Sequence, residues 1–156
     1  MTDTEAMHEA LALAREAADE GEVPVGCIVT DGEHIVGRGR NRRETGKSAL
    51  AHAELEAIRD ACRRLGSWRL HRCTLYVTLE PCPMCAGGII NSRIAEVRYG
   101  TRDEKAGACG SVLNLFEERF NHHPRLYRGP LEEECRDQLQ EFFLDLREKE
   151  GFSRNV

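Results

Sequence analysis

His52-Ala53-Glu54 and, with Cys82 28 residues beyond Glu54, the segment Pro81-Cys82-Pro83-Met84-Cys85 supply one imidazole, two thiols and a carboxylate left over. A structural zinc site closes its tetrahedron with four protein ligands, whereas a catalytic one holds three and leaves the fourth position open. His52, Cys82 and Cys85 make three. Thiolate and imidazole donors favour zinc over magnesium or calcium, which prefer oxygen. Water on such an ion ionises near neutral pH and serves as a nucleophile, so no serine or cysteine nucleophile is required. Glu54 is then free to carry protons.

Cys82 and Cys85 stand three apart, close to one face of a helix's first turn, and Pro81 and Pro83 suit the start of that helix. A helix N-terminus and a bound cation both lower a thiol pKa, so both cysteines are expected as thiolates on the metal. Positions two apart on a helix lie about 200° apart. His52 is therefore expected just ahead of the helix that carries Glu54. By itself Cys-x-x-Cys fits a redox pair or half of a structural zinc site; His52-x-Glu54 weighs against both.

The elements that must position these groups follow from periodicity and punctuation. Residues 5 to 19 place Ala6, Ala10, Leu13, Ala14 and Ala17 at helical spacing. Val23 to Thr30 and Glu33 to Gly37 are β-rich runs joined by Asp31-Gly32, a hairpin signal. A second helix is predicted over 52–65, a buried strand over Thr74 to Leu79, and a helix from the cysteines to about Asn91. Ile94 to Tyr99 and Leu126 to Arg128 are further strands, and the roughly 25 residues between them suffice for a parallel crossover with Val112 to Arg119 as its helix. Leu131 to Glu148 closes the chain as a helix, with Leu139, Phe142, Phe143 and Leu146 facing inward. The predicted architecture is α/β, a five-stranded mixed sheet layered with helices.

At 156 residues the chain reads as one domain, 1–156, large enough to bury about two-thirds of its unfolded surface. The acidic N-terminus has no basic segment before an apolar stretch, and no apolar run is long enough to span a bilayer. A cytoplasmic protein is expected. Seven cysteines is an odd number, and Cys27, Cys62, Cys73, Cys109 and Cys135 lack metal-site spacing, which suits reduced thiols better than a disulfide framework. Cys109, in Gly107-Ala108-Cys109-Gly110, is expected within reach of oxidants.

His-x-Glu followed by Pro-Cys-x-x-Cys is a known signature of zinc deaminases. Together with Glu22-Val23-Pro24-Val25-Gly26, Gly39-Arg40-Asn41-Arg42, the run Thr74 to Pro81, Arg102 to Ala108 and Phe120-Asn121-His122, it resembles the cytidine deaminase-like fold. Within that fold it is similar to the bacterial tRNA-specific adenosine deaminases over about residues 5 to 148. The resemblance implies a three-layer fold, conversion of a wobble adenosine in a tRNA anticodon loop to inosine, a homodimer, and one zinc ion per subunit. It implies His52, Cys82 and Cys85 as ligands, and Glu54 as the group that carries a proton from water to the ring nitrogen and later to the departing amine.

For substrate contacts the resemblance points to Asn41, Asp103 and His122. Each has a plainer reading: Asn41 as a turn residue after Gly-Arg, Asp103 as a solvated loop acid, His122 and His123 as the end of a loop before Pro124. The net charge of −5 is unfavourable for an RNA partner, since phosphates are met by Lys and Arg. Arg38, Arg40, Arg42, Arg43 and Lys47 crowd one segment, however, and Arg102 and Lys105 another, a distribution compatible with a basic face on an acidic body. Two rivals stay open. A deaminase of guanine, cytosine or free adenosine would use the same metal, water and glutamate; a non-catalytic zinc module that binds RNA would have no use for Glu54.

Overall fold

The computed structural model describes the chain path through residue 154 and side chains through residue 150. Its element order is α1 (Asp3–Asp19), β1 (Gly26–Thr30), β2 (Ile35–Arg40), α2 (Ala53–Leu65), β3 (Thr74–Leu79), α3 (Pro83–Asn91), β4 (Glu96–Thr101), β5 (Arg125–Arg128) and α4 (Glu132–Arg154), with a short 3-10 turn at Leu115–Glu117. The sheet order is β2-β1-β3-β4-β5. β1 runs antiparallel to β2 and β3, whereas β3, β4 and β5 are mutually parallel. This is the expected mixed sheet.

Alternation along the strands divides the core into two layers, because successive strand residues point to opposite faces. Ile28 and Tyr76 pack against α1 and Cys135 of α4, while Cys27, Val29, Leu75 and Val77 join the cluster built from α2 and α3. The helices sit close to the sheet because both partners are small. Ala53, Ala57 and Ala61 line the buried face of α2, and β2 meets that face with Gly39, where a Cβ would collide with the Ala53 carbonyl oxygen. Close seating of α2 is what brings its first turn to the sheet end.

Four expectations are corrected. Residues 112–119 form a loop with one 3-10 turn rather than a helix, because the backbone donors just ahead of it are captured by a distant carboxylate, described below. Cys109 is 2% exposed and out of reach of oxidants, held inside that same loop. Of the four α4 residues expected to face inward, only Leu139 and Phe142 are half-buried; Phe143 and Leu146 are 39% and 40% exposed. A 23-residue helix is about 35 Å long and a six-residue strand about 20 Å, so the helix overshoots the sheet it packs on. Finally, Arg38 and Arg40 do not join the other basic residues. They lie on alternate positions of β2 facing the α1 side, and Arg40 is spent on Glu20 at 2.7 Å and Glu16 at 3.7 Å.

Candidate metal centre and active site

Two helices begin at the site. His52 is the N-cap of α2 with extended backbone (φ −82, ψ 150), and Cys82 is the N-cap of α3 (φ −76, ψ 173) with Pro83 in the first helical position. Neither side chain caps its own helix. Both are thereby free to turn toward each other, while the helix N-termini behind them favour negative charge. Cys85 lies in the first turn of α3, fully buried.

The Nδ1 atom of His52 stands 3.6 Å from Cys82 Sγ and 3.5 Å from Cys85 Sγ. All three donor atoms lie within 4.8 Å of one another. Zinc–sulfur and zinc–nitrogen bonds of about 2.3 and 2.1 Å at a tetrahedral angle separate donors by about 3.6 Å. The cluster thus has the spacing that zinc needs, with two soft donors and one borderline donor. Among the described residues it is the only such group, and it contains no fourth protein ligand.

Protonation follows from crowding. Donation from the Cys85 thiol, against the penalty of burial and with help from His52, pulls the Cys82 thiol down to about 4. Cys85 moves up, because it donates to Cys82 and is buried. The Cys82 partner also raises His52. Cys82 is thus the donor that ionises most readily, and a divalent cation would release the proton of Cys85 as well. Glu54, in the first turn of α2, is 4% exposed. Burial, opposed in part by its own backbone N–H, pushes its carboxyl up to about 7.

His52, Glu54 and Cys82 open onto a cavity of about 230 Å³. This is smaller than the ~300–1,000 Å³ of pockets for drug-sized ligands, and its mixed apolar and polar walls suit a single planar base. Val25 and Leu79 supply apolar wall, Asn41, Arg43 and Asp103 polar wall. Asn41 is at once a turn residue and a lining residue: its Nδ2 donates to the Val23 carbonyl at 3.1 Å and its Oδ1 accepts from Arg43 N–H at 3.1 Å. Asp103 Oδ1 likewise accepts from the N–H groups of Lys105 and Ala106, both at 3.1 Å.

His122 is not brought to this cavity. Its Nε2 pairs with the Ile94 carbonyl at 2.7 Å, just before β4, whereas the cavity lies beyond the other end of that strand. Seven residues at ~3.3 Å each put the two about 20 Å apart. His123 pairs with the Glu118 carbonyl at 2.8 Å.

Two acids that motif reading passed over hold the walls. Glu22 is 1% exposed and accepts from Glu44 N–H (3.1 Å), Thr45 N–H (2.7 Å) and Thr45 Oγ1 (2.8 Å), which fixes the loop that carries Arg42 and Arg43. Glu80 is 2% exposed and does the same for the loop after β4. Their sequence signal was position: each is an acid bordering an apolar run and a proline, where burial demands partners.

The chain matches the family model for MafB19-like deaminases over residues 1–147. It is 48% identical over 149 residues to a tRNA-specific adenosine deaminase from Bacillus subtilis, covering 95% of this chain and 92% of that one. A solved structure from work on A-to-I editing by tRNA:A34 deaminases at the wobble position of transfer RNA is similar with TM-score 0.83 at 40% identity, covering 86% of this chain and 99% of that one. A guanine deaminase from Bacillus subtilis is similar at TM-score 0.64 and 29% identity, covering 95% of each chain.

Proposed function

The chain belongs to the deaminase family that includes the tRNA-specific adenosine deaminases, and from that membership we propose that it hydrolyses the wobble adenosine of a tRNA anticodon loop to inosine, releasing ammonia. The observation that carries the chemistry is the three-donor cluster His52, Cys82 and Cys85, with the buried Glu54 opening onto the same cavity. Zinc held by those three residues would supply water acidified to the neutral range.

The rest falls to the protein. Glu54 takes a proton from the attacking water, gives it to the purine ring nitrogen beside C6, and delivers one to the departing amine. A carboxyl held near 7 is suited to giving and taking protons at neutral pH. The cavity walls exclude bulk water and hold the base in plane, with Asn41 and Asp103 as the polar groups nearest the target nucleotide. A wobble base sits in a single-stranded loop, so extruding it costs less than opening a duplex. Of the basic segments, Arg42, Arg43 and Lys47 on one side and Arg102 and Lys105 on the other are the groups we assign to loop phosphates, all of them exposed. His122 would contact RNA only outside this cavity.

A homodimer is part of the reading. It would cover exposed apolar side chains such as Leu50 at 62%, Val112 at 58% or Leu113 at 43%. Sedimentation at micromolar concentration tests it. None of the described helices is long and apolar enough to cross a membrane, and we place the enzyme in the cytoplasm with its substrate.

Comparing turnover of an anticodon stem-loop, free adenosine and guanine separates this reading from its rival. Conversion of the stem-loop, falling as salt is added, supports it. Rapid turnover of guanine with the stem-loop untouched would assign the chain to small substrates instead.

A further inference from the structure

Glu80 is the last residue before Pro81-Cys82, and its carboxylate is filled by the loop that follows β4. Oε1 accepts from Asp103 N–H at 3.1 Å and Ser111 Oγ at 2.5 Å; Oε2 accepts from Cys109 N–H at 3.0 Å and Ser111 N–H at 3.1 Å. Four donors therefore converge on one buried side chain from positions 23 to 31 residues away. The adjoining backbone repeats the connection, since Ala108 N–H donates to the Pro81 carbonyl at 2.8 Å. Gly107 completes the fit, for a Cβ there would collide with the Glu80 carboxylate.

A carboxylate matches this arrangement. It offers acceptors alone, about four lone-pair sites on two oxygens, and four donors occupy them. A glutamine would turn an NH₂ group toward N–H donors, leaving buried donors unpaired. The loop has no helix of its own to stiffen it, only the short turn at Leu115–Glu117. Yet it supplies Asp103 and Ala106 to the cavity wall.

We propose that Glu80 is a positioning residue for the reaction: it suspends the substrate-facing loop, residues 103–111, from the same strand end that presents Cys82, and so sets the distance between the nucleotide wall and the metal ligands. This rests on the adenosine-deaminase reading for its kinetic consequence, though not for its structural one. A misplaced wall costs roughly 10- to 100-fold in kcat/KM. Most of that loss falls on KM, because the wall holds the nucleotide in ground and transition states alike, while Glu54 and the three ligands remain in place.

The test compares wild type, Glu80→Gln and Ser111→Ala by amide hydrogen exchange, zinc content and stem-loop kinetics. Glu80→Gln is expected to lose protection at residues 103–111 but not in β3 or α2, to keep its zinc, and to raise KM about tenfold or more. Ser111→Ala, which removes one of the four donors at a half-buried site, should show a smaller shift in the same direction even if Glu80→Gln folds poorly. Unchanged loop protection and KM in both variants would overturn the proposal, as would exchange rising equally across the molecule. A wild-type protein that ignores the stem-loop would refute the substrate reading while leaving the exchange result to decide on Glu80.

Discussion

His52 and Cys82 are both helix N-caps, on α2 and α3, and their side chains meet with Nδ1 and Sγ 3.6 Å apart. Each residue gives up the capping role to face the other. The arrangement explains how a histidine and a glutamate only two positions apart line one cavity: His52 stands outside the helix, Glu54 inside its first turn.

Replacing members of this cluster should separate metal binding from catalysis. Glu54→Gln is expected to retain about one zinc ion per chain while activity falls about 10²- to 10⁴-fold. Cys82→Ser and His52→Ala should lose most of the metal and the activity together. Metal analysis of the purified variants, beside inosine formation, checks this; near-normal turnover in Glu54→Gln contradicts the assigned role.

The seat of α2 on β2 gives a second expectation. Gly39→Ala places a methyl group against the Ala53 carbonyl, in the peptide segment between His52 and Glu54. Overpacking of this kind costs about 1–3 kcal/mol. Thermal unfolding should shift down and catalysis with it. An unchanged midpoint would mean that the helix sits farther from the sheet than described.

Much of the fold was legible because its elements announce themselves locally. The alanine spacing of α1, the existence of a hairpin at Asp31-Gly32 and the placement of His52 ahead of α2 all match the structure, although the hairpin loop takes four residues, 31–34, and its second strand is Ile35–Arg40 rather than 33–37. What failed was non-local. Residues 112–119 carry no mark showing that their neighbours will bond to Glu80, and Arg38 and Arg40 look contiguous with Arg42 until the two-residue period of β2 turns them toward α1. The clustering of His52, Cys82 and Cys85 was readable from spacing. The walls were not, since Glu22 and Glu80 act mostly through backbone groups that any residue could supply.

Glu22 should leave a signature in pH dependence. Burial opposes its ionisation, but the N–H groups of Thr45 and Glu44 and the Thr45 hydroxyl outweigh it and hold the carboxyl below its ordinary 4.5. A carboxyl depressed on folding stabilises the protein above the unfolded value and loses that contribution as pH falls through the folded one. Glu22→Gln is expected to be about 1–3 kcal/mol less stable at pH 7, with the gap to wild type narrowing below about pH 4.5. Urea unfolding at pH 7 and pH 4 measures both. A constant gap would show that the charge plays no part.

Arg42 and Arg43 should carry salt dependence. Their replacement by alanine is expected to weaken stem-loop binding and to reduce the slope of log affinity against log salt by about one for each phosphate left without its arginine. Zinc content should not change. A slope equal to that of wild type would place the phosphates elsewhere.

The most direct measurement is the product at the wobble position. Purified zinc-loaded protein is incubated with an anticodon stem-loop bearing adenosine at the wobble position and other adenosines in its stem, and the RNA is digested and mapped for inosine. The account predicts inosine at the wobble position alone, and almost none with Glu54→Gln. Unmodified RNA at low salt, from protein that carries its zinc and deaminates guanine or a free nucleoside, would contradict it.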